Sequence, residues 1–424
     1  MVSGTDGNSA TTPGPRCDLD RLAHGMEARG LDGVVITTPK NVTYLSGHNP
    51  TAPKGDEPPG TAVVISRHDL RHPIYIGTDG FLTPFLDEPI WIEDLRPYRS
   101  ALIPVSAATE RSEFYRFMPA SRQDSGWVKR AGDAYVGDFT EAIRNAMQDL
   151  GLANGRVGYD DLRVGSKLAG SLSDVNDAYS LMMFAREVKS IQEIEWLREA
   201  TRVNQVAIER TVQSWGRGKT WKELVDTYHA EVTALGGWVA DPGGVFFANP
   251  VDGDPAVRLR VLSEDFVVQP GTNILFDCHG NKNQYCWDGG KTWMVEDEPS
   301  SMSGRIARAT AEVMNEIQQL MRPGVRIGEI QEKSQRTFQQ MGVPQSASVL
   351  TYFHGMGLSH TDVEALAIDD ADPNWALGEG MVIAAHLLCP GDEKERCWIE
   401  EVFVVKEGGG EPLFTWGNDR LTNG

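Results

Sequence analysis

The sequence predicts a two-domain α+β protein in which a smaller α/β domain precedes a larger domain of helices and mostly antiparallel strands. A chain of 424 residues is too long for one ordinary core and suits two. Helix-like and strand-like segments alternate early in the chain, whereas long amphipathic helices and several strand-like runs follow later. We therefore expect a disordered tail over residues 1–17, one domain over 18–180 and a second over 186–415.

The N-terminal domain is predicted to open with a helix and a buried strand. An amphipathic segment at 19–30 ends in glycine, and an apolar run at 34–36 follows it. Turn-forming residues are concentrated at 50–60 and 106–132, which are predicted to be loops. The remaining elements predicted here are strands at 62–65 and 74–76 and a helix at 138–150.

The second domain is predicted to begin with a long helix near Arg186. Apolar residues return at steps of three and four between Val188 and Val203, which is the spacing of one buried helix face. Strand-like runs lie on both sides of Asp277, and the last seventy residues are again strand-like. The remaining elements predicted here are helices at 221–235, 303–321 and 327–341 and strands at 381–388 and 398–405.

Composition excludes several classes of partner. A net charge of −20 repels phosphate backbones and anionic lipids, so neither nucleic acid nor a membrane is expected as a partner. Apolar residues make up 40% of the chain and charged residues 24%, the balance of a soluble globular protein. The five cysteines are few and odd in number, which argues against a disulfide scaffold and predicts a cytoplasmic protein.

Five residues that can bind metal ions lie in strand-like or glycine-rich surroundings. Each of them alone is a weak signal, because an aspartate on a strand is more often a turn or edge residue than a ligand. Together they indicate one site. They are Asp277 in ILFDCHG, Asp288 in QYCWDGG, His354 in FHGMGL, His386 in MVIAAHLL and Glu400 in CWIEEVFVV.

With these motifs the chain resembles the family of creatinase, prolidase, aminopeptidase P and methionine aminopeptidase over about residues 18–410. Asp277 and Asp288 have the family's spacing of eleven residues, His354 opens an HGxGL turn, and Glu400 lies in a strand of the family's xIExxxxV type. The resemblance implies a pita-bread catalytic domain behind a creatinase-like N-terminal domain, and a homodimer. Further similar segments are KNVTYLSG at 40–47, REVKSIQEIEWLREA at 186–200 and RPGV at 322–325.

The resemblance also implies a dinuclear metal centre. Two divalent ions, Fe, Mn, Co or Zn, would be bound by these residues, with Asp288 and Glu400 bridging them. Cations of this kind take carboxylate oxygens and imidazole nitrogens. They activate water and polarise a carbonyl group.

Two histidines depart from the family pattern. His386 occupies the position of a glutamate in the peptidases, so the site is one charge unit more positive and lacks the residue that the peptidases use as acid and base. His386 is therefore both a candidate ligand and a candidate catalytic residue. His279 follows Asp277 by two residues and shares its strand face, so it either ligates beside Asp277 or caps the strand. The dimethylsulfoniopropionate-cleaving enzyme of this fold also has an extra ligand there, and the added imidazoles favour Fe²⁺ and Zn²⁺.

Three further residues are candidates for contact with the substrate. His360 follows His354 by six residues, whereas the peptidases place a proton-shuttling histidine seven residues on. It is either catalytic or an ordinary loop residue. Arg258 and Arg260 lie where the peptidases have a substrate-touching histidine, and they either bind a substrate carboxylate or are solvated edge residues.

Cysteines and aromatic residues surround the candidate ligands. Core packing is the default interpretation for all of them. Thiolate ligation remains an alternative for the cysteines, and an aromatic lining for an ammonium or sulfonium group remains one for the rings. The residues concerned are Cys278, Cys286, Cys389, Cys397, Tyr285, Trp287, Trp293 and Trp398.

The function predicted from these observations is metal-dependent hydrolysis of a C–N bond in a small amino-acid-like or zwitterionic molecule. Three alternatives remain open. The first is a non-hydrolytic metalloenzyme, either a lyase or an iron-dependent oxidising enzyme. The others are an Xaa-Pro dipeptidase and a non-catalytic binding protein on the same fold.

Overall fold

The computed structural model describes residues 14–50, 58–124, 126–170, 175–239, 245–248, 265–296, 301–344, 346–367, 372–389, 396–419 and 421. The chain divides into two compact units, Met1–Ala185 and Arg186–Gly424. No helix among these described residues is long and apolar enough to span a membrane.

The first unit is built on a six-stranded mixed sheet in the order β4-β3-β2-β1-β5-β6. Helix α1 begins at a cap in which the Asp18 side chain accepts a hydrogen bond from the backbone of Arg21, and Asp138 caps α5 in the same way. The strands are β1 (Gly33–Ile36), β2 (Ala62–Ser66), β3 (Asp69–Thr78), β4 (Asp94–Tyr98), β5 (Val157–Tyr159) and β6 (Asn176–Asp177). The helices are α1 (Leu19–Ala28), α2 (Pro39–Ser46), α3 (Arg111–Tyr115), α4 (Gly126–Asp133), α5 (Phe139–Asp149), α6 (Leu162–Ala169) and α7 (Tyr179–Glu187).

The loop predicted at 106–132 is only partly a loop. Helices α3 and α4 lie within or across this stretch because Phe114, Val128 and Ala131 are buried and give two short segments an apolar face. Turn-forming residues between these segments hid the short helices from sequence reasoning. Most of the other predicted loop, 51–57, lies outside the described residues.

The second unit contains a seven-stranded sheet in which every named pair of neighbours is antiparallel, with β13-β14-β15-β12-β9-β8 in order and β16 beside β15. A smaller sheet has the order β11-β10-β7. The strands are β7 (Trp238–Val239), β8 (Val245–Ala248), β9 (Asn273–Asp277), β10 (Gly280–Lys282), β11 (Tyr285–Trp287), β12 (Gly290–Met294), β13 (Leu350–Gly355), β14 (Val382–Cys389), β15 (Cys397–Val404) and β16 (Glu411–Pro412). The helices are α8 (Ile191–Gln213), α9 (Trp221–Ala234), α10 (Ser301–Leu320) and α11 (Ile327–Gln340).

Helices α8 and α9 of this unit each begin at a complete capping box. The side chains of Ser190 and Glu193 exchange hydrogen bonds with the backbone at the start of α8, and Thr220 and Glu223 do so at α9. One apolar core packs α8 and α9 against β9 and β12, and a second packs α10 and α11 against β13, β14 and β15. The helices of both cores therefore pack against strands of the large sheet.

Candidate metal centre

Three antiparallel strands place metal-capable residues side by side on one face of the large sheet. His386 on β14 lies directly opposite Glu400 on β15. Glu400 lies opposite Gly290 at the start of β12, two residues after Asp288. His354 on β13 lies opposite the residue two positions before His386, so alternation of the strand puts the two imidazoles on the same face.

A glycine turn presents Asp288 to this face. Gly289 has φ +114°, a backbone conformation that residues with a Cβ rarely adopt. A Cβ at Gly290 would collide with the carbonyl oxygen of Phe276 on β9. The two glycines therefore let the backbone pass close to β9, and Asp288 is fully buried.

The first group of candidate ligands consists of Asp288, His354, His386 and Glu400. One ligand atom from each lies within 4.8 Å of all the others, and all four residues are buried. His354 Nε2 lies 3.4 Å from Asp288 Oδ2, and His386 Nε2 lies 3.1 Å from Glu400 Oε1. These atoms form a buried cluster of two carboxylates and two imidazoles.

The second group consists of His279, Asp288 and His360, and it shares Asp288 with the first. His279 Nε2 lies 3.0 Å from Asp288 Oδ1 and 3.2 Å from Asp277 Oδ1, while His360 Nε2 contacts Asp288 Oδ2. The side chains of His279 and His360 are 29% and 48% exposed, in contrast to the buried first group. The second group therefore borders the open side of the site.

The buried polar atoms of the first group fit divalent cations. Apart from the contacts within the two groups, both oxygens of Asp288 and of Glu400, both nitrogens of His386 and Nε2 of His354 have no hydrogen-bond partner among the described residues. Burying polar and charged atoms without partners is costly, so such a set requires a compensating charge. The donors are oxygen and nitrogen only, which suits Mn²⁺, Fe²⁺, Co²⁺ and Zn²⁺.

Electrostatics at Asp288, the carboxylate that the two groups share, also favour a bound cation. Burial raises the pKa of Asp288, but the adjacent imidazoles of His279, His354 and His360 outweigh burial and hold this pKa well below its usual range. Burial lowers the pKa of His279, but the side chains of Asp277 and Asp288 outweigh it and raise this pKa to about 10. The carboxylates therefore draw positive charge to the second group.

The first group shows the opposite tendency, because its members are deeper. Burial, and then the charges of Asp288 and Asp277, raise the pKa of Glu400 well above its usual range. Burial, and then neighbouring His354, lower the pKa of His386 well below its usual range. The lowered pKa favours the neutral imidazole at His386, the form in which histidine ligates a metal.

A buried ion pair fixes the loop that contains His360. Arg186 and Asp362 pair at 2% and 1% side-chain exposure. The Asp362 carboxylate accepts a hydrogen bond from the Leu358 backbone, and the Arg186 guanidinium donates one to the hydroxyl of Ser359. The loop between His354 and Asp362 is thus tied to the chain at the start of the second unit.

Several candidate residues from the sequence meet here, and others do not. Neither candidate ligand group contains a cysteine from the described part of the chain, and all five cysteines are free thiols. Arg258 and Arg260 lie outside the described residues. Tyr285, Trp287 and Trp293 are buried to within 1% exposure, which favours packing over a lining role. Trp398 does reach the site, since its ring lies 5.3 Å from that of His386, edge to face.

Sequence reasoning missed two features of the site. It treated His360 as a candidate for catalysis only, whereas the structure also brings its Nε2 into a candidate ligand group. It did not single out Tyr352, whose ring stacks on His386 at 3.9 Å between centroids. The signal for Tyr352 was present, because it precedes His354 by two residues and so shares its strand face. No comparable signal existed for His360, because its position depends on the path of a loop.

Comparisons with known proteins agree with this architecture. The model of metallopeptidase family M24 matches residues 195–407, and that of the creatinase/prolidase N-terminal domain matches residues 19–199. The X-Pro aminopeptidase structure from Thermotoga maritima has a TM-score of 0.68 at 18% identity, covering 94% of this chain and 99% of that one. A search of curated protein sequences finds no match.

Other solved structures with similar folds have comparably low identity. Dipeptidase PepE from Mycobacterium ulcerans has a TM-score of 0.64 at 17% identity, with 95% of this chain and 96% of that one covered. The prolidase from Pyrococcus horikoshii has a TM-score of 0.61 at 15% identity, with 95% and 98% covered. These likenesses confirm the predicted fold, a pita-bread α+β domain preceded by a creatinase-like α/β domain.

Proposed function

The chain belongs to metallopeptidase family M24, and from this premise we propose that it hydrolyses a C–N bond in a small amino-acid-like or zwitterionic molecule. Membership makes it a metal-dependent enzyme of a hydrolase family. The observation that supports the finer proposal is the pair of ligand groups that share Asp288. Their buried oxygens and nitrogens lack other partners among the described residues.

In this proposal, each group holds one divalent cation. Asp288, His354, His386 and Glu400 hold the first, while His279 and His360 hold the second together with Asp288. Asp277 adds a carboxylate beside His279. Bound cations of this type supply Lewis acidity toward a carbonyl oxygen and lower the pKa of water.

The two ligand groups differ in solvent exposure, and we assign them different roles on that basis. The members of the first group, Asp288 and Glu400 among them, are buried and so have little contact with solvent. The second group is partly exposed, so a substrate approaches from the side of His279 and His360. Burial, and then neighbouring His354, lower the pKa of His386 well below its usual range, so this imidazole is a poor proton acceptor. We therefore assign any proton transfer near the substrate to the exposed side of the site, that of His279 and His360.

We do not assign to this chain the peptidase activity that the names of the similar proteins state. In this chain His386 stands where the peptidases of the resembled family have a glutamate. We therefore expect Xaa-Pro dipeptides to be poor substrates. Turnover of Gly-Pro or Ala-Pro at rates typical of a prolidase would show that His386 replaces the glutamate without loss.

A second candidate function has one specific observation in its favour. The structure brings four imidazoles, those of His279, His354, His360 and His386, to the two ligand groups. Nitrogen-rich sites favour Fe²⁺ and Zn²⁺ over Mn²⁺, and iron opens redox chemistry. An iron-dependent oxidising enzyme, or a lyase, is therefore the alternative. Consumption of O₂ during turnover distinguishes the oxidising version from hydrolysis.

Metal removal and restoration tests the proposal. The purified protein is stripped with a chelator, its metal content is measured, and single metals are added back. Release of amine from a panel of dipeptides, N-acyl amino acids and betaine amides is then followed, with ¹⁸O from labelled water traced into the acid product. We expect activity only with metal and label in the product. Full activity of metal-free protein would refute metal dependence. If the purified protein binds no stoichiometric metal and is inactive, the chain is instead the non-catalytic binding protein on the same fold.

A further inference from the structure

A backbone carbonyl next to Asp288 joins the two segments that contain the aspartates of the candidate metal centre. The carbonyl oxygen of Gly289 accepts a hydrogen bond of 3.3 Å from the backbone N–H of Cys278, which follows Asp277 in the chain. This bond therefore links the end of β9 to the turn before β12. The spacing of the two aspartates matters, because His279 Nε2 lies within 3.2 Å of a carboxylate oxygen of each.

Asn204 on α8 holds the same carbonyl through its side chain. Its Nδ2 donates a buried hydrogen bond of 2.9 Å to the Gly289 oxygen. Glycine restricts the backbone less than any other residue, so Gly289, with φ +114°, depends on such contacts to keep one conformation. Asn204 therefore fixes a peptide that the residue type at position 289 leaves free to rotate.

Tyr228 on α9 orients the Asn204 amide. Its hydroxyl donates a hydrogen bond of 2.8 Å to Asn204 Oδ1. An amide has one acceptor end and one donor end, so a donor at Oδ1 leaves Nδ2 to face the Gly289 oxygen. The side chain of Tyr228 is fully buried, so packing of its ring determines where the hydroxyl lies.

The asparagine on α8 is unfavourable for the helix itself. Asparagine is a poor helix former, and burying its amide removes that group from water. Asn204 is nevertheless fully buried in the middle of this helix. Its neighbours one turn away on the same face are Ala200, Ala207 and Ile208, all of them apolar and buried. An apolar residue would complete this face, but it could not supply the hydrogen bond to Gly289.

We propose that Asn204 and Tyr228 are positioning residues for the metal centre, which act through Gly289 to hold Asp288 at a fixed spacing from Asp277. Neither residue belongs to the two candidate ligand groups. Residues that orient ligands from outside the ligand set commonly contribute ten- to a hundredfold in metal affinity. This inference rests on the proposed function, because it requires that Asp288 binds metal.

Binding of Co²⁺ alone to the metal-free full chain tests the proposal. Co²⁺ binds to the same nitrogen and oxygen sites as Fe²⁺ and Zn²⁺, and titration against a competing chelator measures its affinity. Asn204→Leu keeps a side chain of similar size and removes the donor to Gly289, so we expect the affinity to fall about tenfold. Tyr228→Phe leaves that donor in place and removes only the hydroxyl that orients it, so the expected loss is about threefold.

Combining the two changes separates positioning from stability. Asn204→Leu deprives the buried Tyr228 hydroxyl of this acceptor, which should lower the Tm of the metal-free protein by a few degrees. Adding Tyr228→Phe removes the hydroxyl as well and should recover part of the Tm. The affinity of this double variant for Co²⁺ should remain about tenfold below that of the parent, because the donor to Gly289 is still missing.

Thr211→Ala is the matched control on the same helix. Thr211 is fully buried about two turns beyond Asn204 on the same face of α8, and its hydroxyl donates to the backbone oxygen of Ala207. This variant should lower the Tm and leave the affinity for Co²⁺ unchanged. The visible absorption spectrum of bound Co²⁺, which depends on how its ligands are arranged, should differ from that of the parent in Asn204→Leu and match it in Thr211→Ala.

The possible outcomes distinguish this inference from the proposed function. Parent-like affinity or a parent-like Co²⁺ spectrum in Asn204→Leu would overturn the positioning role and leave the metal-dependent hydrolase standing. A double variant that recovers Tm and affinity together would also overturn it, as would an equal loss of affinity in Thr211→Ala, since stability alone would then explain the loss. A parent protein that binds no Co²⁺ would overturn the proposed metal centre, and the positioning role with it.

Discussion

His386 can be replaced in two ways that have opposite effects on the metal centre. In His386→Ala the imidazole that we propose as a ligand disappears from the first group, while Asp288, His354 and Glu400 remain. Loss of one supporting residue outside the ligand set commonly costs ten- to a hundredfold in metal affinity, so loss of a ligand should cost about a hundredfold or more. We therefore expect this variant to retain about one metal equivalent fewer than the parent.

In His386→Glu a carboxylate replaces the imidazole whose Nε2 lies 3.1 Å from Glu400 Oε1. Two negative charges at that distance repel by about 5 kcal/mol at an effective dielectric constant near 20, and a proton or a cation must relieve this. The metal-free variant should therefore be less stable than the parent, and added metal should stabilise it more. Its ligand set becomes richer in oxygen, so preference shifts toward Mn²⁺ and Co²⁺.

The stability of metal-free His386→Ala follows from two opposing effects. Removing a buried ring that stacks on Tyr352 costs roughly 3 to 5 kcal/mol, the range for truncating a large buried ring. Removing the two buried nitrogens of His386, which have no hydrogen bond among the described residues outside the two ligand groups, offsets about 1 to 3 kcal/mol of this loss in the free energy of unfolding. The net loss is about 2 kcal/mol, small enough for the variant to fold and be assayed.

The assay combines metal analysis of desalted protein with thermal unfolding in the presence and absence of a chelator. The expected pattern is reduced metal content in the alanine variant alone, and a larger metal-dependent rise in Tm in the glutamate variant. A His386→Ala protein with the parent's metal content would refute the assignment of His386 as a ligand. The alignment of this strand with the family's glutamate strand would then be wrong.

Four further predictions concern His360, two buried carboxylates and the oligomeric state. His360→Ala should remove the second metal equivalent and leave the first, whereas a histidine that only transfers protons would leave metal content unchanged; element analysis decides. Arg186→Met should destabilise the second unit by about 3 to 5 kcal/mol by leaving Asp362 unpaired, and adding Asp362→Leu should recover part of this loss in denaturant titrations. Asp160→Asn should cost the first unit about 2 to 4 kcal/mol, because the carboxylate accepts hydrogen bonds from residues 37, 38 and 41, whereas Asp69→Asn at the surface should change little. Light scattering at micromolar concentration should find a homodimer, and a monomer would contradict this prediction.

The parts of the site that sequence could predict are those governed by strand alternation and by family motifs. The spacing of two predicted Asp277 and His279 on one strand face; in the structure β9 ends at Asp277, and His279 lies in the link to β10 with its Nε2 3.2 Å from Asp277 Oδ1. The pairing of His386 with Glu400 was harder to predict, because the register of a hairpin depends on its connecting loop. Residues 390–395 of that loop lie outside the described part of the chain.

The position of His360 was beyond sequence reasoning for a different reason. A loop has no period, so spacing from His354 does not determine where His360 points. Its path follows from the buried pair of Arg186 and Asp362, which are 176 residues apart in the chain. Glycine adds to this constraint, because a Cβ at Gly357 would collide with the Asp362 carboxylate. Only the folded structure shows that these contacts turn His360 toward Asp288.

The difference in exposure between the two ligand groups bears on which chemistry the enzyme performs. The first group is buried, so in the proposed centre its cation would be shielded from solvent. The second group, at His279 and His360, is partly exposed, so we expect a substrate or O₂ to reach this one. The identity of the cation at the exposed position therefore distinguishes hydrolysis from oxidation, while the total metal content of the protein does not. Anomalous diffraction at the iron, zinc and manganese edges, resolved for each position, is the measurement that this asymmetry calls for.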